Sequence, residues 1–165
     1  MTGKIIAFTG THGTGKTTAT LQTAAHYKMH YATHSIGLCV EQAAMSPYLI
    51  NKESTAKSQM WIFTAQIKTE LELLSKFDVV IADRTCVDSI AYTITMGYDS
   101  LAFAMLEMAR HHLHNYKRIV FKTIENNPFC FPDGIRDAED MEFRAKVQGT
   151  LKELYESLNV QVEYV

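Results

Sequence analysis

The residues best suited to chemistry lie early in the chain, at Gly10-Thr11-His12-Gly13-Thr14-Gly15-Lys16-Thr17. The run fits the pattern G-x-x-x-x-G-K-[ST] in full. Glycines at these places let the backbone curl until successive N–H groups point inward at phosphate oxygens. A helix starting at the end of the run adds the positive end of its dipole. Lys16 has the reach to bind β- and γ-phosphates, and the Thr17 hydroxyl can ligate Mg²⁺. The bland alternative is a glycine-rich turn with a surface lysine. An apolar run before the motif and good helix formers after it count against that alternative. The expected contacts to a nucleotide donor are Gly10, His12, Gly13, Thr14, Gly15, Lys16, Thr17 and Thr18.

Further along, Asp83 closes the apolar run Asp78-Val79-Val80-Ile81-Ala82. An acid at the tip of such a strand can hold Mg²⁺ or its water shell. The next residue is Arg84, a fixed cation suited to phosphate or to transition-state charge, and not a water-orienting glutamate. Asp88 follows Thr85 at capping-box spacing and reads first as a helix cap. Glu41 comes directly after a second apolar run. A carboxylate near a γ-phosphate serves as a base only if the acceptor has a proton to lose, as a hydroxyl does. Glu41 therefore points to phosphorylation of a hydroxyl. Asp83 could be the base instead, with Glu41 binding the acceptor.

Gln59, Gln66 and Glu70 fall within about 40° of one another at about 100° per helical residue. Phe63 sits beside them. An amide and an aromatic face can read and stack a nucleobase, so Gln59, Phe63 and Gln66 are candidate acceptor-binding residues. Arg136 and Arg144 flank the start of the last helix, where arginines can neutralise charge on a transferring phosphoryl group. Between Met108 and Ile124 the chain carries Arg110, Lys117, Arg118, Lys122, His111, His112 and His114 and no acid. That stretch could touch a nucleic-acid backbone, or simply answer a helix dipole.

These residues need a scaffold that alternates strands and helices. Strands are expected at Lys4–Thr9, Ser35–Val40, Asp78–Ala82, Arg118–Ile124 and Val160–Val165. Helices are expected at Thr17–His30, Thr55–Lys76, Thr85–Met96 and Asp99–Asn115, with a short one from Glu41 to Ala44 ended by Pro47. In the long helix, Met60, Phe63, Ile67, Leu71 and Leu74 share a stripe. Asp137 can cap the last helix, whose core stripe is Val147, Leu151, Leu154 and Leu158. Asn126 to Arg136 reads as a loop. The alternation argues for an α/β fold with a parallel sheet and helices on both faces. Ligands in such sheets sit beyond the carboxyl ends of the strands, which is where Gly10, Glu41 and Asp83 fall.

Composition narrows the class. At 165 residues the chain makes about one domain, 1–165. It is 47% hydrophobic and 21% charged, which argues against disorder. A net charge of −2 disfavours a dedicated non-specific DNA binder. Three cysteines without a C-x-x-C indicate neither a disulfide framework nor zinc, and a cytoplasmic location is the default. No apolar run is long enough for a membrane span.

The glycine-rich loop, Glu41, Ser58-Gln59 with Ile62-Phe63 and Ala65-Gln66, Asp83-Arg84-Thr85 with Asp88 and Ala91-Tyr92, Asp133-Gly134-Ile135-Arg136, and Glu142-Phe143-Arg144 together resemble the small P-loop kinase-like ATPases. That group lies near the nicotinamide riboside, deoxynucleoside and thymidylate kinases. The resemblance implies strand order 2-3-1-4-5, Mg-ATP as donor and a lid bearing arginines, with Arg136 among them. It also implies Asp83 as the metal-linked acid, Arg84 as a substrate- or phosphate-facing arginine and Glu41 as the catalytic acid. The expected activity is transfer of the γ-phosphoryl group to a hydroxyl of a nucleoside- or nucleotide-like small molecule. The rivals are a nucleic-acid kinase, acting on a hydroxymethylated base in DNA or a 5′-hydroxyl end, and an ATP-binding regulatory module with no acceptor. Oligomeric state stays open, a homodimer included.

Overall fold

The computed structural model of the protein describes residues 3–126 and 140–165. Its strands are β1 (Lys4–Thr9), β2 (Ile36–Cys39), β3 (Val79–Asp83), β4 (Tyr116–Phe121) and β5 (Glu163–Tyr164). All pair in parallel in the order β2-β3-β1-β4-β5, the order the resemblance implies. The helices between them are α1 (Lys16–His30), α2 (Ala56–Leu74), α3 (Cys86–Thr95), α4 (Asp99–His112) and α5 (Met141–Ser157).

Strand alternation sorts the core. On β1, Ile5 and Ala7 pack with Cys39, Val80 and Ala82 toward Leu73 and Leu74 of α2. Ile6 and Phe8 point the other way, to Ile81, Val120 and the α1 residues Ala19 and Ala24. A larger cluster joins α2, α3, α4 and α5 over β4 through Phe63, Ile90, Met105, Phe121 and Leu151. Both faces of the central strands are therefore covered, as their near-continuous apolar sequence requires.

The structure departs from expectation in several places. The Glu41–Ala44 helix is a single 3-10 turn at Ala43–Met45, and Asn51–Glu53 forms another. β4 begins two residues early, at Tyr116, and ends at Phe121. The last helix is capped by Asp140, whose carboxylate accepts the Phe143 N–H at 2.9 Å. Asp137 lies outside the described residues, as does most of the expected loop before it.

The stripe expected on α2 holds in part: Phe63, Ile67 and Leu74 pack into the core. Met60 and Leu71 are half exposed. The buried face carries Ser58, Gln59, Ile62, Phe63, Gln66 and Glu70. Glu70, fully buried, accepts from Gln66 Nε2 at 2.7 Å and from the Tyr116 hydroxyl at 2.8 Å, and pairs with His112 Nε2 at 2.5 Å. A buried carboxylate is tolerable only when so surrounded. Hydropathy spacing cannot anticipate partners on α4 and β4.

Candidate active site

β1 delivers the chain into the glycine-rich turn. Gly10 adopts φ 135, and a Cβ there would lie 2.4 Å from the Lys122 carbonyl oxygen, so only glycine fits. Gly15, at φ 74, is the N-cap of α1 and offers no side-chain cap. An uncapped helix N-terminus suits an anion. Lys16 is buried and folds over the turn, donating from Nζ to the Thr11 carbonyl at 2.5 Å.

β3 brings its terminal acid to the same edge. The Thr17 hydroxyl donates to Asp83 Oδ2 at 2.5 Å. Asp83 Oδ1 is buried and has no hydrogen-bond partner among the described residues. A threonine hydroxyl beside a carboxylate with a spare buried oxygen is a hard-oxygen donor set that fits Mg²⁺, with phosphate and water oxygens completing its shell.

Arg84 follows at φ 87, a conformation costly for a side chain with a Cβ. It is held from both sides. Its N–H donates to the Phe8 carbonyl at 2.9 Å, and its own carbonyl accepts from Gln66 Nε2 at 3.3 Å. The buried guanidinium donates from Nε to Glu41 Oε1 at 2.6 Å, and from Nη1 to Asp88 Oδ1 at 3.2 Å. Burial opposes its charge, but Tyr92, Asp88 and Asp83 outweigh that and raise the arginine's pKa above its ordinary value. The charge is thus locked on.

Asp88 does more than cap. The Thr85–Asp88 capping box forms at the start of α3. The same carboxylate accepts from the Thr9 hydroxyl at 2.8 Å and from the Gly10 N–H at 3.4 Å. It ties the start of the glycine-rich turn to α3.

Glu41, Arg84, Asp88 and Tyr92 line a cleft beside the turn, with Gln59 and Asn51 on its other side. The cleft is narrow, about 30 Å³, and opens to solvent. Tyr92 is shared by cleft and turn. Its ring lies 5.4 Å from the Arg84 guanidinium carbon, and its hydroxyl accepts the His12 N–H at 3.2 Å. His12 Nδ1 is 3.0 Å from the same oxygen. Arg144 holds the other side of His12, donating from Nε to its carbonyl at 3.1 Å. Arg144 is fully buried, and its Nη2 has no hydrogen-bond partner among the described residues.

The structure therefore gathers Lys16, Thr17, Glu41, Gln59, Asp83, Arg84 and Arg144 around one strand edge. Phe63 is elsewhere: it is buried in the large core cluster. Gln66 is also interior, bonded to Glu70 and to the Arg84 backbone, and is not among the residues lining the cleft beside the turn. Arg136 lies outside the described residues. The basic stretch is dispersed. His112 pairs with Glu70, Arg110 with Glu107, and Arg118 with Glu163. Tyr92 was not singled out from sequence as a site residue, although Asp88 and Tyr92 stand one helical turn apart, four and eight residues after Arg84. That spacing was the available signal.

The sheet order and the glycine-rich turn between β1 and α1 define a P-loop protein with the kinase-like topology. The chain belongs to the AAA domain family, whose model matches residues 5–165. Among solved structures it is similar to thymidylate kinase from Ehrlichia chaffeensis, at 16% identity and a TM-score of 0.66, over 100% of this chain and 93% of that one. It is also similar to deoxyadenosine kinase from M. mycoides, solved with dCMP and dCDP, at 18% identity and a TM-score of 0.63, over 98% and 88% of the two chains. At these identities the likeness is one of fold. No curated protein sequence matches the chain. Among the described residues no helix is long and apolar enough to cross a membrane.

Proposed function

We propose that the protein is an ATP- and Mg²⁺-dependent kinase that transfers the γ-phosphoryl group to a hydroxyl of a nucleoside- or nucleotide-like small molecule. The observation that carries this reading is the Glu41–Arg84 pair, which lines a cleft immediately beside the phosphate loop. Loop amides and Lys16 hold the triphosphate. Thr17 and Asp83 would hold Mg²⁺, which supplies positive charge to the β- and γ-phosphates. The acceptor oxygen forms the new P–O bond as the bond to the β,γ-bridging oxygen breaks, and the acceptor proton passes to Glu41. Asp83 is the weaker candidate for base, because it accepts from Thr17 and does not line the cleft. Arg84 offsets charge on the acceptor side; a like role for Arg144 is supported by its contact with the His12 carbonyl on the glycine-rich turn. Arg136 is proposed as a further phosphate-facing arginine. The two kinases of like fold are named for small acceptors, thymidylate and deoxyadenosine, which supports a nucleoside- or nucleotide-like acceptor; of the two, only deoxyadenosine lacks a phosphate and so supports a hydroxyl as the accepting group.

A labelled-ATP transfer assay tests it, with free nucleosides and nucleotides beside unmodified and hydroxymethylated oligonucleotides. Label on a small acceptor is the expected result. Label on oligonucleotide alone would establish the nucleic-acid kinase instead. ATP binding with no transfer across the panel would establish a regulatory module.

A further inference from the structure

A second cleft lies at the other end of the sheet. Lys4 opens β1 and Thr9 closes it, which separates this cleft from the phosphate loop by roughly 17 Å at about 3.3 Å per residue. Its volume is about 440 Å³, within the usual range for small-molecule pockets. Ile6 and Val79 form an apolar floor. Tyr27 and Tyr31, from the end of α1, form an aromatic wall, their ring centroids 5.0 Å apart and their planes 33° apart.

The rim is cationic. Lys4 and Lys117 both line the cleft, and neither side chain has a hydrogen bond or ion pair among the described residues. Lys117 is there because of an irregularity. Along β1, Ile5 faces Tyr116 and the next residue, Ile6, faces Arg118, so Lys117 is the extra residue of a bulge in β4. Such a shift in register re-aims side chains. The rim acid, Asp78, is turned to Ser35, accepting from its N–H at 2.8 Å and its hydroxyl at 2.7 Å.

We propose that this cleft is a second, non-catalytic site for a nucleoside monophosphate, with the base against Tyr27 and Tyr31 and the phosphate between Lys4 and Lys117. A bare anion would make no use of the aromatic wall. An uncharged ring would make no use of the two ammonium groups, which together with His34 outnumber the one rim carboxylate, Asp78. A planar base bearing a phosphate uses both. The inference is independent of the reading of the phosphate loop.

The test titrates AMP and dTMP, with adenosine and inorganic phosphate as separate arms, by calorimetry and by amide and tyrosine-ring NMR shifts. At least one monophosphate is expected to bind saturably and to shift signals of Lys4, Tyr27, Tyr31 and Lys117. Adenosine and phosphate alone should each bind roughly tenfold more weakly or worse. The double variant Lys4→Glu/Lys117→Glu, and separately Tyr31→Ala, should weaken the monophosphate by roughly tenfold or more while leaving ADP binding unchanged. Lys16→Ala should do the reverse. These side chains are exposed, and Tyr31→Ala alone suffices if the double variant fails to fold. The proposal is overturned by absence of saturable binding, by equal binding of inorganic phosphate, or by shifts confined to residues around Arg84.

Discussion

Glu41 Oε1 and Arg84 Nε meet at 2.6 Å although 43 residues separate them, and the contact joins the ends of β2 and β3 over the mouth of the phosphate loop. Arg84 is in turn the point where Asp88, Tyr92 and the Gly10 carbonyl converge. The pair is at once a structural clasp and the chemistry-bearing edge of the cleft.

If Glu41 takes the acceptor proton, Glu41→Gln keeps the shape and a hydrogen-bond acceptor for Arg84 but loses the base. Turnover is expected to fall by roughly 10²–10⁴ with ATP affinity nearly intact. Steady-state rates beside a nucleotide-binding titration read the split. Collapse of ATP affinity with turnover preserved would show that the residue has another role.

Lys16→Ala is expected to abolish transfer. The substitution leaves the glycine turns and the strand pairing in place, so the thermal midpoint should stay close to that of the parent. A variant that retains full activity would reject the loop as the donor site.

Asp88 accepts from Thr9, Gly10, Arg84 and Thr85 at once. Asp88→Ala leaves the buried Arg84 short of a counter-charge and removes a helix cap, so it should cost about 3–5 kcal/mol. Denaturant unfolding measures this; a loss under about 1 kcal/mol would mean that the network is redundant.

Arg144 behaves oppositely. Among the described residues its buried guanidinium keeps one nitrogen unsatisfied, a burden to the free fold, and apolar replacement of buried charge is often neutral or stabilising by about 1–4 kcal/mol. Arg144→Met should therefore leave stability unchanged or raised while transfer falls by roughly 10³ or more, the scale of an arginine finger. Joint loss of stability and activity would make the residue purely structural.

Alkaline pH should loosen the protein before acid chemistry is involved. Burial pushes the Cys39 and Cys86 thiols and the Tyr116 and Tyr155 phenols above their ordinary pKa values. Folded pKa values raised above the unfolded ones favour the folded state at low pH. That contribution is complete below about pH 8.5 and declines as pH rises through the unfolded values near 8.5 and 10. Unfolding midpoints measured from pH 7 to 11 should fall. In the native protein at pH 8, neither Cys39 nor Cys86 should react with iodoacetamide.

The legible parts of the sequence were those set by neighbours in the chain. The bounds of β1 match expectation, and α1 starts one residue early, because apolar runs, glycines and helix formers act locally. The Thr85–Asp88 cap was readable for the same reason. What escaped was set by distant partners. The inward face of α2 is polar because Tyr116 and His112 surround Glu70. Phe63 adjoins amides on the helix yet falls on the apolar side, so proximity on a helical projection did not make it a stacking platform. The left-handed backbone of Arg84 depends on Phe8 and Gln66, and no local pattern in an Asp-Arg-Thr run announces it.

One phenolic oxygen serves two neighbourhoods. Because the Tyr92 ring walls the chamber under Arg84 while its hydroxyl latches the third residue of the glycine turn, a guest that tilts the ring must tug on the turn. Conversely, a turn reshaped by its own guest must reset the wall. The two halves of the edge share a hinge pin only one side chain thick.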